Sequence, residues 1–442
     1  MRGQAPTSFP NMTLCSSDLV ADTIVLGAGP AGIGAAITLG KRAIVLERST
    51  EVAGLSATIE LDGAVFDLGG HSFHTPHEKV RRLVFDALPM EQQRREAWCL
   101  VAGSWIAYPF QQHFSALPDP ALRASCAQGL AAAGGWRDAS DFDSYLDLRF
   151  GAGIADAFLR PYNAKLWGAD LARMSADWTT ERVAAPVGTE QRFDEKGGLR
   201  KPLQPDTTIA YPAQSGYGAI FRTLARRLND LRLGRAAVQI DPQRRTLKTN
   251  LGETLAWRQI VSTVPLPALL AMLPAVPKEI AAGVATLEAL PVNLVMVVLE
   301  GRGQLTRQRI YCAGNELPGH KVVFNNTSSV WLREMPRHGI LVEVAGGKKY
   351  DPEILAERTV TDLVATGLID RVSAVRRVEV THLELGYPVP THARASTLRG
   401  VRAWLGEQGI AIAGRFAEWA YINADEALAR GMAIGDTLVD TA

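Results

Sequence analysis

The chain has 442 residues, a formal net charge of +1 at neutral pH and 47% hydrophobic residues. This length supports two or three lobes with substantial cores, and the near-neutral balance excludes nucleic acid or an acidic membrane surface held by global charge. An anionic ligand would need a local cluster of cations. The four cysteines, Cys15, Cys99, Cys126 and Cys312, show neither CxxC nor metal-site spacing, so we expect a reduced, cytoplasmic protein. No apolar run is long enough to span a membrane, and residues 1–17 read as a loose tail without the apolar centre of a signal peptide.

The most informative segment begins at residue 21. Thr23 to Leu26 is a β-branched, apolar run suited to a buried parallel strand, followed by Gly27-Ala28-Gly29-Pro30-Ala31-Gly32 and a small-residue helix pattern. Gly27 permits the tight turn, Gly29 lets backbone approach a pyrophosphate, and Gly32 lets helix pack on strand. The helix start, with Pro30 and Ala31, offers free N–H groups and a positive dipole end to phosphates. Glu47, 20 residues after Gly27 at the end of the next apolar run, is placed to hold ribose hydroxyls, with Arg48 beside it. Gly54, Leu55 and Ser56 follow, and then Asp67-Leu68-Gly69-Gly70-His71, where paired glycines after a short strand let backbone pass close to a flat ring.

Residues 116–182 read as helical and Ala-rich, and 195–205 as a Gly-, Lys- and Pro-rich loop. Residues 217–231 carry an amphipathic helical pattern, and 237–240, 246–249 and 259–264 read as strands. Residues 292–299, 321–324 and 340–344 look like strands of a second sheet. A buried strand at 410–412 runs into the Gly414-Arg415 turn, and a helix follows over 425–441. His74 and His77 follow His71, but no cysteine or carboxylate completes a ligand set at usual spacing, so no metal is expected.

The first segments together resemble the FAD-binding superfamily of amine oxidases, protoporphyrinogen oxidases and UDP-galactopyranose mutases. Four further stretches resemble the mutases, the eukaryotic-type branch most closely: Tyr108-Pro109-Phe110-Gln111; Arg160-Pro161-Tyr162-Asn163 through Trp167, continuing to Arg182; Tyr387-Pro388-Val389-Pro390; and Gly414-Arg415-Phe416 with Trp419 and Tyr421. The resemblance spans about 22–440. It implies an α/β fold: a Rossmann-like FAD-binding domain (18–76, 205–290 and 405–442), a helical domain (112–185) and an antiparallel-sheet substrate domain (77–111, 186–204 and 291–404).

It also implies roles. Tyr108 and Gln111 match residues at the nucleoside end of a nucleotide sugar, Asn163 and Trp167 the lining of its site, and Arg182 an arginine near diphosphate and flavin. Tyr311, Tyr387 and Tyr421 match diphosphate-binding tyrosines, Arg415 an arginine between flavin and substrate, Asn423 a substrate amide, His71 a histidine beside the flavin and Val238 a cofactor contact. Catalysis would rest on His71, Arg182 and Arg415, with reduced FAD as a nucleophile toward the anomeric carbon and NAD(P)H as reductant. The implied partner is a nucleotide-diphosphate sugar, and a homo-oligomer is compatible with the resemblance.

There are departures. The family's second diphosphate arginine falls at Lys321, ten residues after Tyr311, which keeps the charge but loses the bidentate fork. Residues 314–319 suggest an altered substrate loop, and 417–421 read Ala-Glu-Trp-Ala-Tyr where the family has a Gly-Ser-Trp-Arg-Tyr type sequence. They leave open a mutase-like protein acting on, or only binding, a different nucleotide sugar. A flavin oxidoreductase of the amine oxidase or desaturase type is the competing class. Read singly, Tyr108, Trp167 and Trp419 equally suit core aromatics, and Arg160 and Arg182 suit ion pairs with Asp156 and Asp177.

Overall fold

A computed structural model describes residues 22–186, 208–303 and 306–440; the expected tail with Cys15 and the loop at 195–205 lie outside the described residues. The fold is mixed α/β. Its first layer is a five-stranded sheet in which every pairing is parallel. Thr23–Leu26 lies at the centre, between Ala43–Glu47 and Gln259–Ser262; Leu231–Leu233 and Ile410–Ile412 form the edges. The central strands are buried on both faces, as helices covering a parallel sheet require. The sheet thus draws on widely separated stretches of chain.

The helix Pro30–Leu39 packs along the last helix, Ala424–Asp440, through small residues. A Cβ on Gly431 would stand 1.9 Å from the Ala31 carbonyl oxygen, so the two backbones meet directly. The second large sheet has seven strands and is built around Ala289–Glu300, Arg337–Ala345, Lys321–Phe324 and Arg309–Cys312. It is antiparallel except at one junction, where Arg309–Cys312 runs parallel to Ala97–Val101. Long helices at Pro120–Ala132, Phe142–Ile154 and Arg160–Trp167 cover one end, sharing a core with Phe66, Phe110 and Leu341.

One local expectation changes. The helix expected over 217–231 spans only Ala219–Ala225; the chain then turns, and Leu231–Leu233 joins the parallel sheet at its edge. Edge pairing competes with helix propagation here because Val45, Leu46 and Glu47 offer an open ladder. The strands expected at 237–240 and 246–249 are present as Ala237–Asp241 and Thr246–Thr249, and with Thr254–Ala256 they form a separate three-stranded sheet. The 14-residue strand Val375–Pro388 was not anticipated, although Val378-Glu379-Val380 and Leu383-Glu384-Leu385 alternate as a half-buried strand does.

Candidate functional site

The site lies between the two sheets, and its first half is a cradle. Gly27 takes a φ of +98° at the end of the first strand, and its N–H donates to the Leu46 carbonyl oxygen at 2.8 Å. A Cβ on Gly32 would fall 1.9 Å from the Gly27 carbonyl oxygen, whereas one on Gly29 would meet nothing within 4 Å. The turn is therefore tight toward the protein and open on the outer side. The helix beginning at Pro30 has no side-chain cap, leaving its N–H groups turned to that opening. Glu47 sits beside it: Oε2 accepts the Ala28 N–H at 2.7 Å and Oε1 accepts the Ser49 N–H at 2.8 Å, which fixes the carboxylate's direction.

Some of the remaining cofactor candidates pack against the glycine loop. The Ala53 N–H donates to the Ala28 carbonyl oxygen at 2.9 Å, holding the Gly54–Ser56 turn, with Leu55, against the glycine loop. A Cβ on Gly414 would come 3.0 Å from the Ala31 Cβ. Arg48 is exposed, and Val238 is 51% exposed on the small three-stranded sheet. The Arg235 N–H donates to the Glu47 carbonyl oxygen at 2.8 Å, bringing the stretch before Val238 alongside. An open cradle bounded by helix N–H groups and an oriented carboxylate fits the dinucleotide half of FAD.

The second half is a cluster of aromatic rings. Tyr108 and Tyr311 lie 4.8 Å apart between centroids, and Tyr162 meets Tyr311 at 5.8 Å. Trp167, Tyr387 and Tyr421 form a mutual group with centroids 5.3–6.2 Å apart. Trp167 is 1% exposed and its indole Nε1 has no hydrogen-bond partner among the described residues. Cations border both groups. The Arg95 guanidinium stacks 4.8 Å from the Tyr108 ring and donates to the Tyr311 hydroxyl at 2.9 Å. Arg182 lies 4.6 Å over Tyr421, and Arg415 lies 5.7 Å from Tyr387. A cleft of about 230 Å³, lined by Arg94, Arg95, Glu96, Trp98, Tyr108 and His113 among others, adjoins the Tyr108 end.

Several candidates are held by backbone. Arg182 donates through Nε (2.8 Å) and Nη2 (2.5 Å) to the Tyr421 carbonyl oxygen, and through Nη1 (2.7 Å) to Asn423 Oδ1. Its alternative partner Asp177 pairs instead with Arg394, while Arg160 is bound by Asp143, Asp147 and Asp156. Arg415, expected to be catalytic, donates twice to the Ile422 carbonyl oxygen and once to that of Gly386. Its visible work is to brace the backbone beneath Tyr387 and Tyr421. Gln111 donates to the Ala184 carbonyl oxygen and Asn163 to that of Leu159. Trp419 is a core residue whose indole donates to the Glu288 carbonyl oxygen.

Lys321 departs from expectation. Its ammonium is 2.8 Å from Glu343 Oε1, so its charge is committed to a carboxylate. Glu343 is 1% exposed and also accepts the Gly70 N–H (2.8 Å) and the Tyr387 hydroxyl (2.7 Å). Burial opposes its charge, but Lys321 first, and then His320, hold its carboxyl well below the usual range. Glu343, Arg95 and Arg309 were all missed as site residues. Glu343 had a legible signal: an acid inside the apolar run Ile340-Leu341-Val342-Glu343-Val344 needs a partner. Arg95 and Arg309 had none.

His71 stacks on Tyr217 at 4.8 Å, and its Nδ1 has no partner among the described residues. Desolvation, then the charge of Arg415, lower its pKa to about 3, with Glu343 opposing. It is therefore neutral at physiological pH. Because its folded pKa lies below the ordinary 6.5, its contribution to stability is full above pH 6.5 and is lost as pH falls toward 3. A His71→Gln variant is thus expected to lose less stability on acidification from pH 6.5, by up to ~1.4 kcal/mol per pH unit. Denaturant midpoints measured at pH 7, 6 and 5 check this; parallel pH profiles would contradict a neutral His71.

Beneath that turn, Asp67 accepts from Thr58 Oγ1, the Tyr211 hydroxyl and the Tyr217 N–H at 2.6–3.0 Å. Burial raises its pKa to about 6 despite these donors.

A dinucleotide cradle on a parallel sheet, joined to an aromatic and cationic cleft, defines a flavoenzyme fold. The chain belongs to the flavin containing amine oxidoreductase family, whose model matches residues 30–423. It is similar to a crystal structure of reduced UDP-galactopyranose mutase: 26% identity, 96% of this chain and 95% of that one covered, and a TM-score of 0.87. It shares the fold of putrescine oxidase bound to putrescine (17% identity, 95% and 99% covered, TM-score 0.69). The same holds for the CLA-producing fatty acid isomerase from P. acnes (15% identity, 95% and 98% covered, TM-score 0.65). No described helix is long and apolar enough to cross a membrane.

Proposed function

We propose that this chain is a flavin-dependent mutase that interconverts the pyranose and furanose forms of a nucleotide-diphosphate sugar without net redox change. The observation that carries the reading is the sign of the cleft. Arg95, Arg182, Arg309 and Arg415 surround its tyrosines, while Glu343, the carboxylate that meets the same rings, is neutralised by Lys321. Such a site attracts a diphosphate and repels an amine, which disfavours the amine oxidase chemistry of the wider family.

Within this reading, Tyr108 stacks on or hydrogen-bonds the nucleoside, with Gln111 and Asn163 shaping that end. Tyr311 and Tyr421 turn hydroxyls to the diphosphate, Tyr387 lines the site with its hydroxyl held by Glu343, and Trp167 offers its unpartnered N–H. Arg182 and Asn423 stabilise the charge that grows as the diphosphate departs. Neutral His71 contributes Nδ1 as a hydrogen-bonding atom, with no charge of its own. FAD supplies, when reduced by a nicotinamide cofactor, the nucleophilic nitrogen for the anomeric carbon. The reading places the enzyme in the cytoplasm.

The test is anaerobic incubation with a panel of pyranose and furanose nucleotide sugars, with and without dithionite, followed by chromatography of the isomers. Interconversion confined to the reduced samples is expected. Absence of any interconversion, with flavin bleached by another donor and reoxidised by air, would assign the chain to the oxidoreductases instead. An Arg182→Ala variant is expected to retain FAD and lose at least ~100-fold in turnover, the effect of removing one oriented charge from a departing anion. Turnover near that of the parent would remove Arg182 from the mechanism.

A further inference from the structure

The cations of the cleft are not equivalent. Strand register sets Lys321 directly across from Glu343, and its ammonium lies 2.8 Å from Oε1. Swinging Lys321 toward a ligand would strip the counter-ion from a carboxylate that is 1% exposed, the costly half of breaking a buried pair.

Arg309 is placed differently. It stands two residues before Tyr311 on the same strand, so the two side chains share a face. Its side chain passes over Gly70, where a Cβ would lie 3.5 Å from Arg309 Nε. Its hydrogen bonds go to neutral groups, Ser72 Oγ at 3.1 Å and the Tyr311 phenol, and among the described residues it has no carboxylate partner. Asp67 feels its charge, but that carboxylate is already taken by Thr58, Tyr211 and Tyr217. Arg309 also joins Arg95 and Lys321 in holding the Tyr311 phenol below its usual range against the effect of burial. A half-buried guanidinium beside a phenol, with no acid to pair with, is suited to an incoming anion, and its planar fork matches phosphate oxygens.

We infer that Arg309, with Tyr311, is the cation that contacts the ligand's phosphates at the Tyr311 end of the cleft, and that Lys321 serves as the counter-ion of Glu343. This rests on the nucleotide-sugar reading and assigns the phosphate contact within it. It also accounts for the lysine: an ammonium suffices to neutralise a buried carboxylate, whereas bidentate phosphate recognition requires a guanidinium.

The experiment titrates UDP, GDP, CDP, TDP and inorganic pyrophosphate into FAD-loaded, full-length protein by calorimetry. The proteins are the parent, Arg309→Met, Arg309→Lys and the Lys321→Met/Glu343→Gln double variant, with flavin absorbance and melting recorded for each. The expected result is a loss of tenfold or more in diphosphate affinity for Arg309→Met and a smaller loss for Arg309→Lys. The double variant, which removes the ion pair as a unit, should stay within threefold of the parent. Arg309→Lys keeps the charge in place and carries the test if the methionine variant fails to fold. Unchanged affinity in both Arg309 variants, or a double variant as weak as Arg309→Met, would overturn the assignment. Pyrophosphate binding that depends on Arg309, with no nucleotide bound, would remove the nucleotide-sugar reading and leave the phosphate contact standing. A parent protein that binds none of these probes would overturn both.

Discussion

A Gly32→Ala variant is expected to purify without flavin and to melt well below the parent chain. The added methyl would lie 1.9 Å from the Gly27 carbonyl oxygen and 3.4 Å from Val25 Cγ1, so the helix must lift from the strand. It cannot lift freely. Gly34 and Gly431 bring its other side into direct backbone contact with the last helix, where Cβ atoms would fall 2.3 Å and 1.9 Å from carbonyl oxygens. Overpacking between rigid backbones costs ~3 kcal/mol or more, and moving the helix start also displaces the N–H groups that would face the pyrophosphate. Flavin absorbance per mole of protein and a thermal melt read both effects. A yellow variant with the parent's melting temperature would show that the cradle tolerates the methyl and that Gly32 is not its limiting contact.

Glu343→Leu should be the most damaging substitution in the second sheet, at about 3–5 kcal/mol. The leucine would leave the Lys321 ammonium, 14% exposed, without its counter-ion and remove the acceptor of the Gly70 N–H and the Tyr387 hydroxyl. Burying unpaired polar groups, with the hydrophobic gain too small to offset it, sets the sign. The Lys321→Met/Glu343→Gln double variant should recover most of the loss, because the charge pair is removed as a unit and the glutamine keeps an acceptor for Gly70. Urea midpoints for the two proteins decide the matter. A single variant as stable as the parent would mean that Glu343 is not the hub that its contacts describe.

The cofactor half was legible because its chemistry is local. The glycine spacing, the apolar strand before it and Glu47 after it lie within 25 residues, and each has a backbone reason to be where it is. The aromatic cleft was legible only through resemblance. Nothing in the periodicity of Tyr108, Tyr162, Tyr311, Tyr387 and Tyr421 distinguishes a site tyrosine from a core one, and they meet only because five distant segments converge. The helix over 217–231 failed for a related reason: propensity favoured a long helix, and a vacant sheet edge captured its end.

By itself, the sequence determined the class of fold and cofactor cradle, because tight turns, buried parallel strands and helix starts follow from residues close together in the chain. It also determined that any anion must be met by local cations, since a net charge of +1 leaves no global field. Tertiary structure alone decided what those cations do. Lys321 is neutralised by a residue 22 positions away across one strand pairing, Arg415 is spent on backbone carbonyls, and Arg309 is left without an acid. The charge of a side chain belongs to the sequence, but its availability depends on which partners the fold brings within a few ångströms, where Coulomb and desolvation terms outweigh any local preference.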